Sequence, residues 1–573
     1  MGRVNDIAMD ARIDKSWGKG VAAGYACMVA VAMALIWGHR FVPMQDYPIW
    51  LSEGAVFSQC LRGTADDNFS IVPYPVPNSA STAVIGALTL AMNVETAGKV
   101  FLSLVAAVFA WGAYWLTRPP PPLRRNAFSL IPLAWMLGFP FFHGNINYFL
   151  GVGVLALGGG YLISRADAGN SLRFWPVLAI SVVMFFSHAL MLAACWLLVG
   201  VYLVNPIRRG QWKVAAAACV PSALLSAAYL VGRAVCPMAP LYGPAAPAGS
   251  TTLWAKNKVT ELLYYLCPFG GFHAFQRGPW PVALAVANAA CLLGLAVLAA
   301  VVAWKARRKP RDRWLLAVCA VFLACWMAAP LYLGGVSSPG QRFVLPALLL
   351  GLALAARRPW SGKARAAATA GAAGLLLFAA VYLVGYVGGV SEGLRDCHAR
   401  LVSLDTDGGV FVDEGLFRFP SRLPACRIQA IWRKALLPEH SVLGRLGYYL
   451  SLERGGPGAV FGTSILRARR NPPVPRTLEE IQDAAPGRLI LLGCDEGNAR
   501  IAQDLSGQYH PLRVEPHIMV LERFSADASS ANHGRFESAH AAGLFVHPSG
   551  AQEAVFAEDR SDELHPDGQA RLR

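Results

Sequence analysis

Long apolar runs alternate with short polar connectors over the first two-thirds of the chain. The runs are rich in Ala, Leu, Val and Gly, and a helix satisfies all of its own backbone hydrogen bonds inside lipid. The pattern therefore predicts an all-α polytopic membrane protein. We expect about eleven transmembrane helices, near residues 21–38, 98–116, 127–142, 147–163, 174–187, 189–204, 214–231, 281–304, 314–333, 343–356 and 366–386.

The apolar segment 80–92 is too short to be a further span. At 1.5 Å per residue it would cross only about 20 Å, whereas the hydrocarbon core is about 30 Å thick. We expect it to dip into the membrane or to lie along the outer interface. Basic residues support this choice, because it places 22 Lys and Arg in the connectors on one side of the membrane and seven on the other.

The positive-inside rule assigns the basic side to the cytoplasm. Residues 1–20 are then cytoplasmic, and the first span is an uncleaved anchor because no signal-peptidase site is recognisable before Phe41. The transmembrane domain covers residues 21–390 and carries large outer loops at 39–79 and 232–279. We expect a multi-pass protein of the bacterial inner membrane with its C-terminus outside the cytoplasm.

After residue 390, charges, prolines and short β-like runs replace the long apolar segments. Residues 391–524 are expected to form a small extracytoplasmic α/β domain. Residues 525–573 are rich in Ala, Ser, Gly, His and acidic residues, which is typical of disorder. The strands predicted for the α/β domain lie near 409–412, 459–466, 488–492 and 518–521.

Composition agrees with a membrane protein, because 55% of the residues are hydrophobic and only 15% are charged. The net charge of +16 lies mostly in basic connectors such as 305–313 and 357–365, so it indicates topology and not nucleic-acid binding. Twelve cysteines form no CxxC or CxxH pattern that would indicate a metal or redox centre. A disulfide among Cys397, Cys426 and Cys494 is permitted outside the cytoplasm but is not implied.

Unusual polar and aromatic residues of the membrane domain fall on its outer side in this topology. Charged and amide side chains at membrane depth are costly and tend to mark function. They come from four separate stretches: the loop after the first span, the hairpin before residue 147, the junction of two short spans, and the start of another span. The candidates are Asp46, Tyr47, Trp50, Glu53, His143, Asn145, Asn147, His188, Gln341 and Arg342.

Each candidate also has a structural interpretation when it is taken alone. Asp46 can cap the helix that begins near Tyr47, which is the commoner role of Asp at such a position. The Gly-Asn-Ile-Asn hairpin can be a tight turn, His188 an interfacial histidine with satisfied hydrogen bonds, and Arg342 a snorkelling side chain. Only the position of all four stretches on one side favours a functional site.

The candidate side chains suit transfer chemistry at a boundary between lipid and water. A carboxylate can take the proton from an acceptor hydroxyl, or can hold a divalent cation beside a phosphate leaving group. Arginine and histidine can stabilise the charge that develops on a departing phosphate. Aromatic residues such as Tyr47, Trp50 and Tyr265 can pack on sugar faces, and an apolar flank would let a lipid-linked substrate present its phosphate.

The order of these elements resembles the GT-C superfamily of integral membrane glycosyltransferases, which use polyprenyl-phosphate-linked sugars. The stretch QDYPIWLSEGAVF, which contains Asp46, is similar to the acidic first-loop motif of that superfamily. The stretches HGNINYFLGVGVLALG, FFSHAL and GQRFVLPALLL resemble segments of uncharacterised bacterial membrane proteins grouped near it. The resemblance covers residues 20–390.

The resemblance implies that Asp46 is the catalytic carboxylate and that Glu53 is a second acid. Many members carry two acids one residue apart, and Asp46 has no such partner. Metal dependence is therefore open, with a divalent cation as the candidate cofactor. The implied reaction transfers a sugar from a polyprenyl-phosphate-linked donor to a glycan, lipid or protein acceptor at the outer face of the inner membrane.

Two other classes of protein are alternatives. A transporter or lipid flippase would need polar residues along a path from both sides, whereas here they gather on one side and Asn288 is the one obvious mid-span amide. The other alternative is a polysaccharide polymerase or a non-catalytic membrane subunit of polysaccharide assembly.

Overall fold

The computed structural model describes residues 2–403 with gaps, together with six short stretches after them. The gaps are 41, 45, 66–68, 121–122, 124, 205–209, 237–257, 260, 263–264, 269–279, 308–309, 331, 334–335 and 338. The later stretches are 410–413, 465–468, 488–492, 502–503, 505–515 and 518–523. Cys426, Cys494 and the tail 525–573 lie outside the described residues.

The described part of the chain is mostly helical. Its α-helices are α1 Gly2–Trp37, α2 Tyr47–Arg62, α3 Ala80–Thr89, α4 Val94–Leu116, α5 Phe139–Phe142, α6 Ile146–Asp167, α7 Phe174–Ser187, α8 Ala189–Val204, α9 Trp212–Val235, α10 Trp280–Arg307, α11 Pro310–Ala328, α12 Val344–Ala356 and α13 Gly362–Ser403.

Seven of the described helical segments are long and apolar enough to cross a membrane. The count of eleven spans stays a prediction, because several of the expected spans are shorter helices. The seven segments are Gly20–Trp37, Val94–Leu116, Ile146–Asp167, Trp212–Val235, Val282–Arg307, Pro339–Ala356 and Gly362–Gly389.

Most of the predicted helices are present, and several of their boundaries differ from the predicted ones. The bounds of α7 and α8 equal the predicted spans 174–187 and 189–204. Helix α11 ends at Ala328, two residues before Pro330, so the predicted end at 333 was wrong; a proline lacks the backbone N–H that a helix interior uses. Helix α13 continues through residue 390 to Ser403.

The predicted span 127–142 is not a continuous helix. It consists of 3-10 turns at Ala127–Ser129 and Ile131–Trp135, followed by the short α5. Pro132 and Pro140 disfavour a regular helix across this segment. A membrane tolerates irregular backbone where protein covers it, and most side chains between Ala127 and Phe142 are buried.

Helix α3 begins and ends at the same end of the bundle. At this end Arg40 and Glu95 form an ion pair of 3.1 Å, which joins the residues after α1 to the start of α4. Lys99 Nζ adds a 2.6 Å hydrogen bond to His39 O. Ser81 N, at the start of α3, donates a 2.9 Å hydrogen bond to Asn147 Oδ1 at the start of α6, and α4 directly follows the end of α3. Both ends of α3 are therefore at this end, and the segment 80–92 does not traverse the bundle, which is the arrangement that the loop charges favoured. We call this the Asp46 end.

The basic connectors meet at the opposite end of the bundle. Arg357 forms a bidentate pair with Asp167, with both N–O distances at 2.7 Å, and Arg358 lies 2.9 Å from Asp312. These contacts join the end of α6, the first turn of α11 and the connector that follows α12. We call this the basic end; the separation of the two ends agrees with the charge bias of the loops.

Small residues let α4 and α6 approach closely in the core. A Cβ on Gly112 would lie 2.3 Å from the backbone oxygen of Gly153, so any larger side chain there would force α4 and α6 apart. Phe109 and Phe149 stack beside this contact with their ring centroids 4.5 Å apart. Small residues at helix crossings are typical of membrane proteins, in which packing replaces the hydrophobic drive between helices.

Helices α9 and α10 carry many large apolar side chains on exposed faces, among them Leu224, Leu230, Val282 and Leu293. An exposed apolar surface of this extent is expected where a helix faces lipid. The two helices therefore lie at the periphery of the membrane domain.

The C-terminal region contains a four-stranded sheet made of β4 Val410–Asp413, β6 Arg488–Leu492, β7 Tyr509–Glu515 and β8 Ile518–Arg523. Their order is β4-β6-β8-β7, in which β4 and β6 are parallel and the other neighbours antiparallel. The predicted strand 488–492 is confirmed as β6, and 409–412 and 518–521 overlap β4 and β8. Strand β7 was missed because Pro511 interrupts its pattern. The other described strands are β1 Phe69–Ile71, β2 Tyr332–Leu333, β3 Val336–Ser337 and β5 Leu466–Ala468.

The C-terminal region contacts the membrane domain at the Asp46 end. Strand β5 pairs antiparallel with β1, which follows α2 in the first large loop. Leu466 packs with Val56, Phe57 and Phe69 in a small apolar cluster beneath this pairing. The loop that carries α2 and the C-terminal region therefore lie on the same side of the bundle.

Candidate functional site

Asp46 occupies the N-cap position of α2, but its side chain does not cap the helix. No cap hydrogen bond is made by its carboxylate, so the capping interpretation of this residue is wrong. The carboxylate instead points to the hairpin between α5 and α6, where Asp46 Oδ2 lies 4.0 Å from His143 Nδ1. The two side chains are 15% and 33% exposed, which leaves them accessible from the end of the bundle.

The hairpin 143–145 is fixed against Asp46 by its backbone. Gly144 has φ +87°, and a Cβ at this residue would lie 2.5 Å from both the N and the Cβ of Asp46. Trp50 Nε1 donates a 2.9 Å hydrogen bond to Gly144 O, and the amide of Asn145 lies 3.5 Å from His143 Nδ1. Glycine is therefore required at this residue, both for its conformation and for its contact with Asp46.

His143 is neutral at pH 7. The surrounding protein, and then the positive charge of Arg342, lower the pKa of His143 to about 4 although a third of its side chain is exposed; a backbone hydrogen bond acts in the opposite direction. The residues before α12 are close to the hairpin, because the hydroxyl of Tyr148, three residues after it, donates a 3.2 Å hydrogen bond to Arg342 O.

Arg342 is a buried cation with neutral partners. It lies in a 3-10 turn at Pro339–Phe343 and is only 8% exposed. Its Nη1 donates a 2.8 Å hydrogen bond to the hydroxyl of Tyr265, and its guanidinium lies 5.3 Å from the ring centroid of Tyr148. Within the described residues its Nε has no hydrogen-bond partner, and no carboxylate lies within ion-pair distance. Such a guanidinium can accept an anion.

His188 separates α7 from α8, and its extended φ of −165° breaks the helix there. Its ring lies edge-on to Tyr148 at a centroid distance of 5.4 Å, so Tyr148 contacts both His188 and Arg342. Burial, and then the charge of Arg342, lowers the pKa of His188 to about 3. Within the described residues its Nδ1 has no hydrogen-bond partner, so the interpretation of a satisfied histidine is wrong for this atom.

Glu53 and Tyr47 of α2 face the interior of the bundle. Glu53 is fully buried and accepts a 2.5 Å hydrogen bond from Thr82 Oγ1 of α3. It lies seven residues after Asp46, about 10 Å farther along the helix axis. Tyr47 packs against Gly98 of α4. Their roles as a second acid and as a sugar contact stay predictions.

Asn147 joins α6 to the start of α3 and to Asn78 before it. Its Nδ2 donates to Asn78 O at 2.6 Å and to Ser81 Oγ at 2.8 Å, and its Oδ1 accepts from Ser81 N at 2.9 Å. Both ends of the amide are therefore engaged by the framework. Gln341 is half-buried beside Arg342. Substrate binding by either residue stays a prediction.

The structure thus brings Asp46, His143, His188 and Arg342 to one end of the bundle. Sequence reasoning did not single out Tyr148, which contacts two of them. Its position next to the predicted hairpin was the available signal. Among the described residues no three His, Cys, Asp or Glu side chains are grouped so that they could hold a metal ion.

Neither a protein-family model nor a curated protein matches this sequence significantly. Solved structures do match: ArnT from Cupriavidus metallidurans bound to undecaprenyl phosphate is similar over 89% of this chain and 98% of that chain, with a TM-score of 0.50 and 10% identity. The apo state of ArnT is similar over 88% and 97%, with a TM-score of 0.38 and 12% identity. ArnT is a GT-C glycosyltransferase, and the first match shows that this chain has a GT-C-like membrane fold.

Proposed function

We propose that this protein is a membrane glycosyltransferase that takes a sugar from a polyprenyl-phosphate-linked donor. Its acceptor would be a glycan, a lipid or a protein. The observation that carries the proposal is the buried Arg342, whose described partners are neutral, at the same end of a GT-C-like fold as Asp46. The undecaprenyl phosphate bound to ArnT supports the same class of lipid as the ligand here.

Arg342 would bind the phosphate of the donor and stabilise the charge that it gains as the sugar leaves. A buried guanidinium forms strong, often bidentate hydrogen bonds with phosphate oxygens, because the surrounding protein does not screen its charge as water does. Neutral His188 would add hydrogen bonding without bringing a second positive charge.

Asp46 would take the proton from the acceptor hydroxyl. A carboxylate that is partly exposed at the end of the bundle can meet an acceptor arriving from the aqueous side. His143, within 4.0 Å, would orient Asp46. Because both carboxylate and histidine also bind metals, a divalent cation remains a candidate cofactor at Asp46.

The Asp46 end would be the extracytoplasmic side of a bacterial inner membrane. The basic connectors at the other end support this orientation through the positive-inside rule. Reporter fusions at Lys309 and at Ser525 should therefore show cytoplasmic and extracytoplasmic activity, respectively. Cytoplasmic activity at both positions would contradict the orientation.

The test of the proposal is Asp46→Asn in a deletion strain, read as the amount of polyprenyl-linked sugar that accumulates. Asn keeps the size of the side chain and removes its charge. General-base catalysis contributes about 10² to 10⁴ in rate, so the variant should not relieve the accumulation. Asn93→Ala is the matched control, since Asn93 caps α4 with a 2.8 Å hydrogen bond and its loss costs only about 1 kcal/mol.

Equal membrane abundance of the two variants has to be shown by immunoblot. An Asp46→Asn protein that is abundant and complements fully would remove Asp46 from the reaction. A deletion strain without any polyprenyl-linked intermediate would count against transfer and favour a transporter or an assembly subunit.

A further inference from the structure

A buried ion pair lies next to the Arg342 turn. Lys258 Nζ is 3.2 Å from Glu261 Oε2, and the two side chains are only 4% and 5% exposed. Both belong to the loop between α9 and α10, which is helical at its described residues from 258 to 266. Buried pairs of opposite charge are costly to form, and removing one partner is strongly destabilising. A pair of this kind therefore fixes the loop in one position.

Trp326 of α11 closes the pair into a three-residue cluster. Its backbone oxygen accepts a 2.9 Å hydrogen bond from Lys258 Nζ, and its indole Nε1 donates to Glu261 Oε2 at 3.1 Å. We call Lys258, Glu261 and Trp326 the loop anchor. The turn that carries Arg342 packs directly on it, because a Cβ on Gly340 would lie 2.8 Å from Lys258 Nζ.

Tyr265 connects the loop anchor to Arg342. Residues 258, 261 and 265 follow helical spacing of three and four, which places them on one face. The hydroxyl of Tyr265 accepts the hydrogen bond from Arg342 Nη1, and its backbone oxygen accepts a 3.0 Å bond from Trp135 Nε1. Burial raises the pKa of Tyr265, Arg342 lowers it and Glu261 raises it again, so both charges act on the phenol.

Because Glu261 is paired with Lys258 and Arg342 contacts the neutral phenol of Tyr265, the guanidinium of Arg342 is available for a ligand. A carboxylate in direct contact would occupy the guanidinium and would compete with a phosphate for the same N–H groups. Glu261 is instead paired with Lys258, and the side-chain contacts described for Arg342 are with the neutral phenol of Tyr265 and the ring of Tyr148. The guanidinium is thus held in place without its charge being neutralised.

We propose that Lys258 and Glu261 are positioning residues for the lipid-phosphate site and act on Arg342 through Tyr265. The outer loop would then set the affinity for the phosphate of the donor, while the apolar tail binds independently of it. The identity of the ligand rests on the proposed function; the dependence of Arg342 on the loop anchor is the new claim.

The experiment titrates purified full-length protein in detergent with undecaprenyl phosphate and, separately, with undecaprenol, which lacks the phosphate. Tyr265→Phe removes the hydrogen bond to Arg342 and should weaken binding of undecaprenyl phosphate about tenfold, the usual order for a bond to a charged group. Glu261→Gln should weaken it severalfold through the same path. Binding of undecaprenol should be unchanged in both variants.

A double-mutant cycle tests the path itself. If Glu261 acts through Tyr265, the double variant should bind no more weakly than Tyr265→Phe alone. Trp326→Phe keeps the ring packing and removes the donor to Glu261, so it replaces Glu261→Gln if that protein does not fold. Glu392→Gln is the control, because Glu392 forms an exposed pair with Arg395 on α13.

The possible results separate the two proposals. Wild-type protein that binds undecaprenol as tightly as undecaprenyl phosphate would overturn the proposed lipid-phosphate site. Wild-type binding that depends on the phosphate, with Tyr265→Phe unchanged or with fully additive losses in the double variant, would overturn only the positioning role.

Discussion

Gly144→Ala should slow transfer about a hundredfold without changing any group that takes part in the reaction. Gly144 lies in the hairpin that packs on Asp46, and it has φ +87°, where an alanine costs about 1–2 kcal/mol. The added methyl group meets the backbone of Asp46 and not the flexible end of a side chain. The substitution therefore moves either the hairpin or Asp46.

The size of the effect follows from the distances. The new Cβ would lie 2.5 Å from Asp46 N and Cβ, whereas non-bonded carbons rest about 3.5–4.0 Å apart. Relief of the overlap needs a displacement of about 1 Å. A misplacement of that size at a reacting group can cost about 10²-fold in rate, so we expect a loss of about two orders of magnitude.

The assay compares Gly144→Ala with Gly169→Ala for transfer and for membrane abundance. Gly169 also has a positive φ, of +65°, but a Cβ there meets nothing within 4 Å. The control thus carries the conformational cost without the displacement and should retain most activity. Transfer by an abundant Gly144→Ala protein at the rate of the Gly169→Ala control would refute the placement of Asp46 in the reaction.

Three further predictions concern charged groups. Arg342→Gln should abolish the preference for undecaprenyl phosphate over undecaprenol in a binding titration, and Arg342→Lys should reduce it, because lysine lacks the planar fork of donors. The pKa of His143 is about 4 in the folded state, below its ordinary 6.5, so protonation favours unfolding as the pH falls through this range. His143→Gln should therefore reduce the loss of thermal stability between pH 6.5 and 4. Arg357→Met removes a guanidinium that is only 3% exposed and that pairs with both Asp167 and Asp312, which should cost about 3–5 kcal/mol and lower the melting temperature in a thermal melt.

The helices could be predicted because the hydrocarbon core of a membrane requires each crossing segment to be apolar, helical and long enough to span it. Apolar length decides where a helix can cross, and this identified α7 and α8 to the residue. Charge decides which connectors meet, and the contact of Arg357 and Arg358 with Asp167 and Asp312 joins loops that the sequence had assigned to one side. Both signals are local in the chain, so a single sequence suffices to detect them.

The irregular segment at 127–142 could not be predicted by the same rule. Its composition is that of a span, but its path depends on whether neighbouring helices cover the broken backbone. Asn126 Nδ2 donates to Ala356 O at the basic end, and His143 lies beside Asp46 at the other. The segment therefore crosses the bundle as irregular structure, protected by packing that its own residues do not encode.

The candidate site also has a part that the sequence could predict and a part that it could not. Residue type and side of the membrane were enough to select Asp46, His143, His188 and Arg342, because polar groups at membrane depth are rare. What makes Arg342 a candidate anion site is a set of distant partners, namely the phenol of Tyr265 and the ring of Tyr148. A sequence shows which cation is present, whereas only the fold shows whether a carboxylate neutralises it. The described partners of Arg342 are neutral, and its Nε has no hydrogen-bond partner among the described residues. Both observations favour an arginine that binds a ligand over one with a purely structural role.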